Sequence, residues 1–175
     1  MTVVDPAAQA APVHGEPRSR TITWHAPVPL DAYAGWTGLE VLTAIRDGVV
    51  PPPPMARVFG FRIAELEHGR IVFECDPDES TYNPLGVVHG GLVGTLVDTV
   101  CGCAVHSALP AGASYTSVDL HVSYLRAVTL ERGTLRATGV ARKVGRRIAF
   151  AEATVVDGAG REVATATSSL LVIAP

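Results

Sequence analysis

With 175 residues, a formal charge of −3, 47% apolar residues and only 18% charged ones, the chain is long enough for one domain with a real core and too short for two comfortable ones. The charge balance shows no basic excess, and no Lys/Arg cluster interleaves with aromatic residues, so nucleic acid is not an expected partner. So apolar a composition with so few charges implies a surface partly covered by other subunits.

Residues 1–22 hold Ala, Pro and small polar types without periodicity and read as a disordered tail. They contain neither the basic start nor the sustained apolar stretch of a secretory signal. Cys75, Cys101 and Cys103 form an odd set, the last two at a helical spacing that points them to different faces, and they read as reduced, small hydrophobes. Together these features predict a soluble, cytoplasmic protein. Residues 23–54 read as an N-terminal extension. Thr37 and Glu40 form a capping-box pattern ahead of Leu39, Leu42 and Ile45, with Gly48 as the stop and Pro51 to Pro54 as a stiff extended spacer. The helix between them covers an apolar edge or walls a ligand site.

The main domain is expected over residues 55–175. From Phe59 the pattern is β: FGFRIAEL, Gly69 as a turn, then RIVFEC with clean alternation at Ile71, Phe73 and Cys75. An apolar helix opens at Gly90 and runs toward Leu109. It has the apolarity of a membrane span, but Asp98, several glycines and His106 interrupt it, and the flanking strands claim it for a core. The stretch SYTSVDLHVSYL alternates, with Val118, Leu120, Val122 and Tyr124 on one face and Ser117, Asp119, His121 and Ser123 on the other. Residues 133–144, 148–156 and 162–173 supply three more strands, turning at Gly145-Arg146 and at residues 157–160. The expected fold is α+β, an antiparallel sheet wrapped around one long helix; a doubly wound parallel sheet is excluded because no helices separate the last three strands.

The chemistry is expected around the segment NPLGVVHGG, residues 83–91. A carboxylate on an apolar helix needs a partner or a task to justify its lost hydration, and Asp98 is that group. Gly90 and Gly91 open the helix, whose N-terminal N–H groups suit a developing negative charge. Small residues at Gly91, Gly94, Thr95, Cys101 and Gly102 mark a face that a partner helix or a substrate approaches closely.

The run from Asn83 through His89, Gly90 and Gly91, with Asp98 nine positions after the histidine and Ser117-Val118-Asp119 on the next strand, resembles the hotdog-fold acyl-CoA thioesterases of the phenylacetate-pathway (PaaI-like) type, over roughly residues 55 to 173. The resemblance implies hydrolysis of acyl-CoA thioesters to a free acid and CoA. It implies Asp98 as general base or nucleophile, the Gly90 N–H as oxyanion donor, and Asn83, His89 and Ser117 as groups that orient substrate or water. The physical reading of the residues agrees, because an activated thioester needs only a nucleophile and a donor for the oxyanion. No cofactor is required. A metal is not expected either, since the six histidines lack helical i,i+4 pairing and Asp119 with His121 make too small a ligand set. The phosphates of a CoA ester need cations, and the candidates are Arg126 at a strand end and Lys143, Arg146 and Arg147 at a turn, taken as clustered at one end of the sheet. Other readings compatible with the residues are a hotdog protein acting on acyl-carrier-protein thioesters, a dehydratase, and a noncatalytic acyl-CoA-binding module. The eight residues from Gly90 to Asp98 span roughly 12 Å of helix. One thioester cannot touch both within a chain, so a dimer or dimer of dimers with sites shared between subunits is expected.

Overall fold

The computed structural model describes residues 15–173. Most of the expected tail, residues 1–14, lies outside them. Residues 15–22 form neither helix nor strand. Two of their arginines are tied to the turn after the first hairpin, Arg18 to Glu79 at 3.0 Å and Arg20 to Asp78 at 2.6 Å.

The extension begins with α1, Gly38–Arg46, whose Thr37 and Glu40 make the expected reciprocal capping box. The proline run is not all spacer: α2, Pro54–Phe59, starts on its last proline and ends at Gly60 in the left-handed region. Proline at the first helical position has a preset φ and loses no helical hydrogen bond, so the residue read as the end of a spacer is a helix start. Strands β1, Arg62–Glu67, and β2, Arg70–Cys75, form a hairpin about Gly69. The central helix α3, Gly90–His106, follows. The chain then continues through β3, Ser114–Tyr124, β4, Leu135–Val144, β5, Ile148–Val156, and β6, Glu162–Ile173.

The six strands form one sheet in the order β1-β2-β4-β5-β6-β3, every neighbouring pair antiparallel. The sheet wraps α3, as the α+β expectation has it. Leu96, Val97, Val100, Cys101, Ala104 and Val105 are fully buried against it. The helix backbone approaches β4 at Gly139, where an added methyl would lie 2.2 Å from the Val100 carbonyl oxygen. Only a residue without Cβ fits there. The opposite flank of α3, carrying Gly91, Thr95 and Asp98, is only partly covered by the chain.

The β3 alternation departs from the sequence reading. A bulge between Ser117 and Asp119 makes Val118 an extra residue, 63% exposed. Ser117 pairs with the buried Leu170, and so joins Leu120, Val122 and Tyr124 on the helix side; Asp119, His121 and Ser123 pair with Ser169, Thr167 and Thr165 on the outer side. One inserted residue shifts the alternation by one step, and strict period-two reading cannot see it.

Candidate active site

His89 stands at the N-cap of α3. Its extended backbone turns the chain into the helix, and its Nδ1 accepts from the Gly91 N–H at 2.8 Å. An accepting Nδ1 puts the neutral ring's proton on Nε2. The next donor, Leu92 N–H, is spent on the His89 carbonyl at 3.0 Å. Among the described residues the Gly90 N–H has no acceptor. It is the first donor of a 17-residue helix, where the unpaired N–H groups and the macrodipole favour negative charge. A recess of about 280 Å3 opens beside it, lined in part by Val93, Tyr124 and Arg126.

Asp98 is half-buried, not enclosed in the apolar core as its neighbours suggest. It lies on the partly open flank of α3, where the Ser117 hydroxyl donates to its Oδ1 at 2.9 Å. The bulge at Val118 turns Ser117 toward this carboxylate. Oδ2 has no protein donor among the described residues. The carboxylate is thus oriented by one bond and open on its other oxygen, as a base or nucleophile must be.

Asn83 works on its own loop. Its Oδ1 accepts from the N–H groups of Leu85 and Val87 at 2.9 and 3.4 Å, while Val87 and Gly86 complete the turn through the Asn83 backbone. This is the turn-forming alternative for an Asn-Pro pair, and it leaves the side-chain amide as the group free to face the site. His89 is held to the same loop by its N–H, which donates to the Thr81 carbonyl at 2.7 Å.

The small residues of α3 serve partners that the sequence reading did not name. Tyr124 lies against Gly90, donating its hydroxyl to the Gly90 carbonyl at 3.0 Å. Tyr115 packs on Gly102, where an added methyl would lie 2.7 Å from its ring. Within the chain, the close approach at Gly102 is therefore made by Tyr115 of β3, and the Tyr124 hydroxyl comes 3.5 Å from a methyl at Gly94. Cys101, grouped with that face by spacing, points into the core instead.

Burial raises the thiols of Cys75, Cys101 and Cys103 to about 12, so they stay protonated and supply no thiolate nucleophile at neutral pH. Among the described residues no three His, Cys, Asp or Glu side chains gather as a metal site, and no helix is long and apolar enough to cross a membrane.

The four candidate phosphate contacts do not sit together. Arg126 donates to the Glu162 carbonyl at the start of β6, whereas the Arg147 carbonyl accepts from Val172 near its end. Ten residues of strand separate these points by roughly 33 Å. Arg126 belongs to the Gly90 end of the sheet. Lys143 and Arg146 line a groove of about 840 Å3 at the other end with His68, Arg70 and Arg142, and Arg147 flanks it on the same turn.

A model of the thioesterase superfamily matches residues 85–164. A candidate esterase of Halobacterium salinarum is 47% identical over 73 residues, covering 41% of this chain and 46% of that protein. Human acyl-coenzyme A thioesterase 13 is 30% identical over 95 residues, covering 54% of this chain and 66% of its own length. The chain thus spans between about half and two thirds of these curated relatives. The crystal structure of a phenylacetic acid degradation-related protein of Ralstonia eutropha superposes with a TM-score of 0.69 at 27% identity, over 74% of this chain and 98% of that one. Over residues 85–164, from the loop before α3 into β6, the chain matches the thioesterase superfamily, and the superposition gives it the hotdog fold.

Proposed function

We propose that the protein hydrolyses acyl-CoA thioesters, with Asp98 as general base or nucleophile and the Gly90 N–H as oxyanion donor. The observation that carries this reading is the pairing of an oriented, half-exposed carboxylate on one flank of α3 with the uncommitted first N–H of the same helix. The superfamily match and the likeness to an acyl-coenzyme A thioesterase support CoA as the carrier.

In this reading the thioester carbonyl oxygen accepts from Gly90 N–H. Asp98 either takes a proton from the attacking water or attacks the carbonyl carbon itself. The tetrahedral oxyanion collapses with loss of the CoA thiolate, giving the free acid directly or through an anhydride that water then cleaves. Ser117 fixes the carboxylate, while His89 and Asn83 hold the loop that presents Gly90 and offer Nε2–H and the amide to substrate or water. Because Gly90 and Asp98 lie roughly 12 Å apart along one helix, each site takes Asp98 from the second subunit of a dimer, which packs on the partly open flank of α3. The groove with Lys143 and Arg146 receives CoA phosphates, aided by Arg147, and Arg126 supplies a cation at the Gly90 end. The reading places the enzyme in the cytoplasm.

The test is a free-thiol assay over acetyl-, hexanoyl-, dodecanoyl-, palmitoyl- and phenylacetyl-CoA, with Asp98→Asn as the control. Turnover by the wild type that falls on the order of a hundredfold to ten-thousandfold in the variant supports the assignment. Equal rates for the two proteins refute it.

A further inference from the structure

A cleft of about 650 Å3 lies between the N-terminal extension and the flank of α3 next to the one that carries Asp98. The chemistry above does not use it. Its inner wall is apolar, with Ile45 from α1, Met55 and Phe59 from α2, Phe61 and Ile63 at the start of β1, and Cys103 from α3. Its size falls within the roughly 300–1,000 Å3 of small-molecule sites.

Three features tie this cleft to the thioester. Thr99, which lines it, follows Asp98 directly, and one helical residue turns by about 100° and rises about 1.5 Å, so the wall begins on the next face round from the carboxylate. The Thr99 hydroxyl is spent on the Thr95 carbonyl at 2.8 Å and brings no donor into the space. The charges at the rim are committed in pairs, Arg20 with Asp78, Arg62 with Asp76 and Arg46 with Asp47, while Arg57 is exposed at the mouth. A hydroxyl or charge on an acyl group placed against the inner wall would lose water and find no partner there, since the hydroxyls of Thr21 and Thr23 lie on the outer side.

The outer side is closed by Thr21, Ile22 and Thr23, which form neither helix nor strand. Arg20 fastens them, next to the more exposed Arg18–Glu79 pair at 3.0 Å. The Arg20 guanidinium donates to Asp78 Oδ2 and to the Val58 carbonyl, both at 2.6 Å.

We infer that this cleft is the acyl chamber for the thioester attacked by the same chain's Asp98, that it selects unsubstituted aliphatic chains, and that the strap latched by Arg20 sets the longest chain admitted. The inference rests on the hydrolase reading above. Its test is the ratio of kcat/KM for dodecanoyl-CoA to that for acetyl-CoA in the full-length wild type, in Ile45→Trp and Met55→Trp, which fill the chamber from two sides, and in Arg20→Ala. Each methylene kept out of an apolar site costs roughly fourfold. Either tryptophan variant, shown folded by its circular dichroism and melting curve, therefore lowers the ratio more than about tenfold, and Arg20→Ala moves the preferred length upward. Met55 is exposed enough to accept tryptophan if Ile45 is not. An unchanged ratio in a folded tryptophan variant overturns the chamber and leaves the hydrolase intact, as does a wild-type preference for hydroxylated aromatic acyl groups. A wild type that cleaves no CoA ester at all refutes the hydrolase reading, and the chamber with it.

Discussion

The shared-site geometry makes a quantitative prediction in mixtures of two inactive chains. Asp98→Asn removes the carboxylate with little change of shape. Gly90→Pro removes the oxyanion donor while keeping the helix, because Gly90 is the first helical residue, where proline is favoured, and the preceding His89 already has the extended φ −62°, ψ 133° that proline requires. The added ring atoms press on Tyr124, whose ring would lie 3.2 Å from a methyl at Gly90 and is 57% exposed, so it has room to swing aside. Loss of one oxyanion donor typically lowers kcat about a hundredfold to a thousandfold. In an equimolar mixture with free subunit exchange, half of the dimers are heterodimers, and one of the two sites in each has both an intact Gly90 and an intact Asp98. Recovered specific activity is then about a quarter of the wild-type value, well above the sum of the two parents. The assay is CoA release after co-refolding, with exchange verified by native mass spectrometry of a mass-tagged chain. Heterodimers that form and stay at the parental rate refute the shared site. An Asp98→Asn chain that keeps full activity alone refutes the role of the carboxylate.

Gly139→Ala puts a methyl 2.2 Å from the Val100 carbonyl oxygen and destabilises by about 1–3 kcal/mol or more in urea titration; a loss below about 0.5 kcal/mol would show that α3 is not clamped there. Lys143→Ala with Arg146→Ala raises KM for acyl-CoA while leaving the corresponding N-acetylcysteamine thioester untouched, because distant phosphate contacts act as uniform binding; equal effects on both substrates move the phosphate site elsewhere. The Asp157 carboxyl is held down at about 2 by the Arg161 guanidinium, with the Arg161 and Ala159 N–H groups adding to it. Its folded value lies below the unfolded one of about 3.9, so its contribution is complete above that value and is lost as pH falls through 2. Urea midpoints of the wild type therefore drop from pH 5 to pH 2 more steeply than those of Asp157→Asn, and parallel curves would contradict the pairing.

The fold was legible wherever local chemistry and long-range packing agree. The capping box of Thr37 and Glu40, the turn glycines and the alternation of β2 carry their own signals. Two elements were not legible, for separate reasons. Pro54 starts a helix with the residue type that also ends them, and only its position at the start of α2 distinguishes the uses. Val118 looks like any strand valine, yet the register with β6 makes it a bulge. That displacement also hid part of the candidate site, because it is what turns Ser117 toward Asp98. Asp98 and Gly90 could be singled out by composition alone, one being a charge on an apolar helix and the other a glycine at its start. Tyr124 could not, since nothing local separates a tyrosine packed on helix backbone from one in an ordinary core. The expected cation cluster failed because Arg126 and Lys143 both end strands, and which end of the sheet each strand reaches is decided by topology.

The two margins of the sheet are built for different neighbours. Along β1, Arg62, Glu65 and Glu67 stand among crossed ion pairs, with Arg136 of β4 reaching both Glu65 and Glu74 over β2. Beneath this charged lattice lies Val72, only 1% exposed although it points away from the helix. Any foreign strand laid on that margin would have to strip solvent from the charges and break the β1 twist at its own bulge. β3, at the opposite margin, is 11 residues long and offers Val118 and Tyr124 to solvent. The asymmetry acts as a polarity for growth: one border repels extension of the sheet, and the other is open to it. Addition at β3 alone would give a closed pair of chains and no path to a fibre.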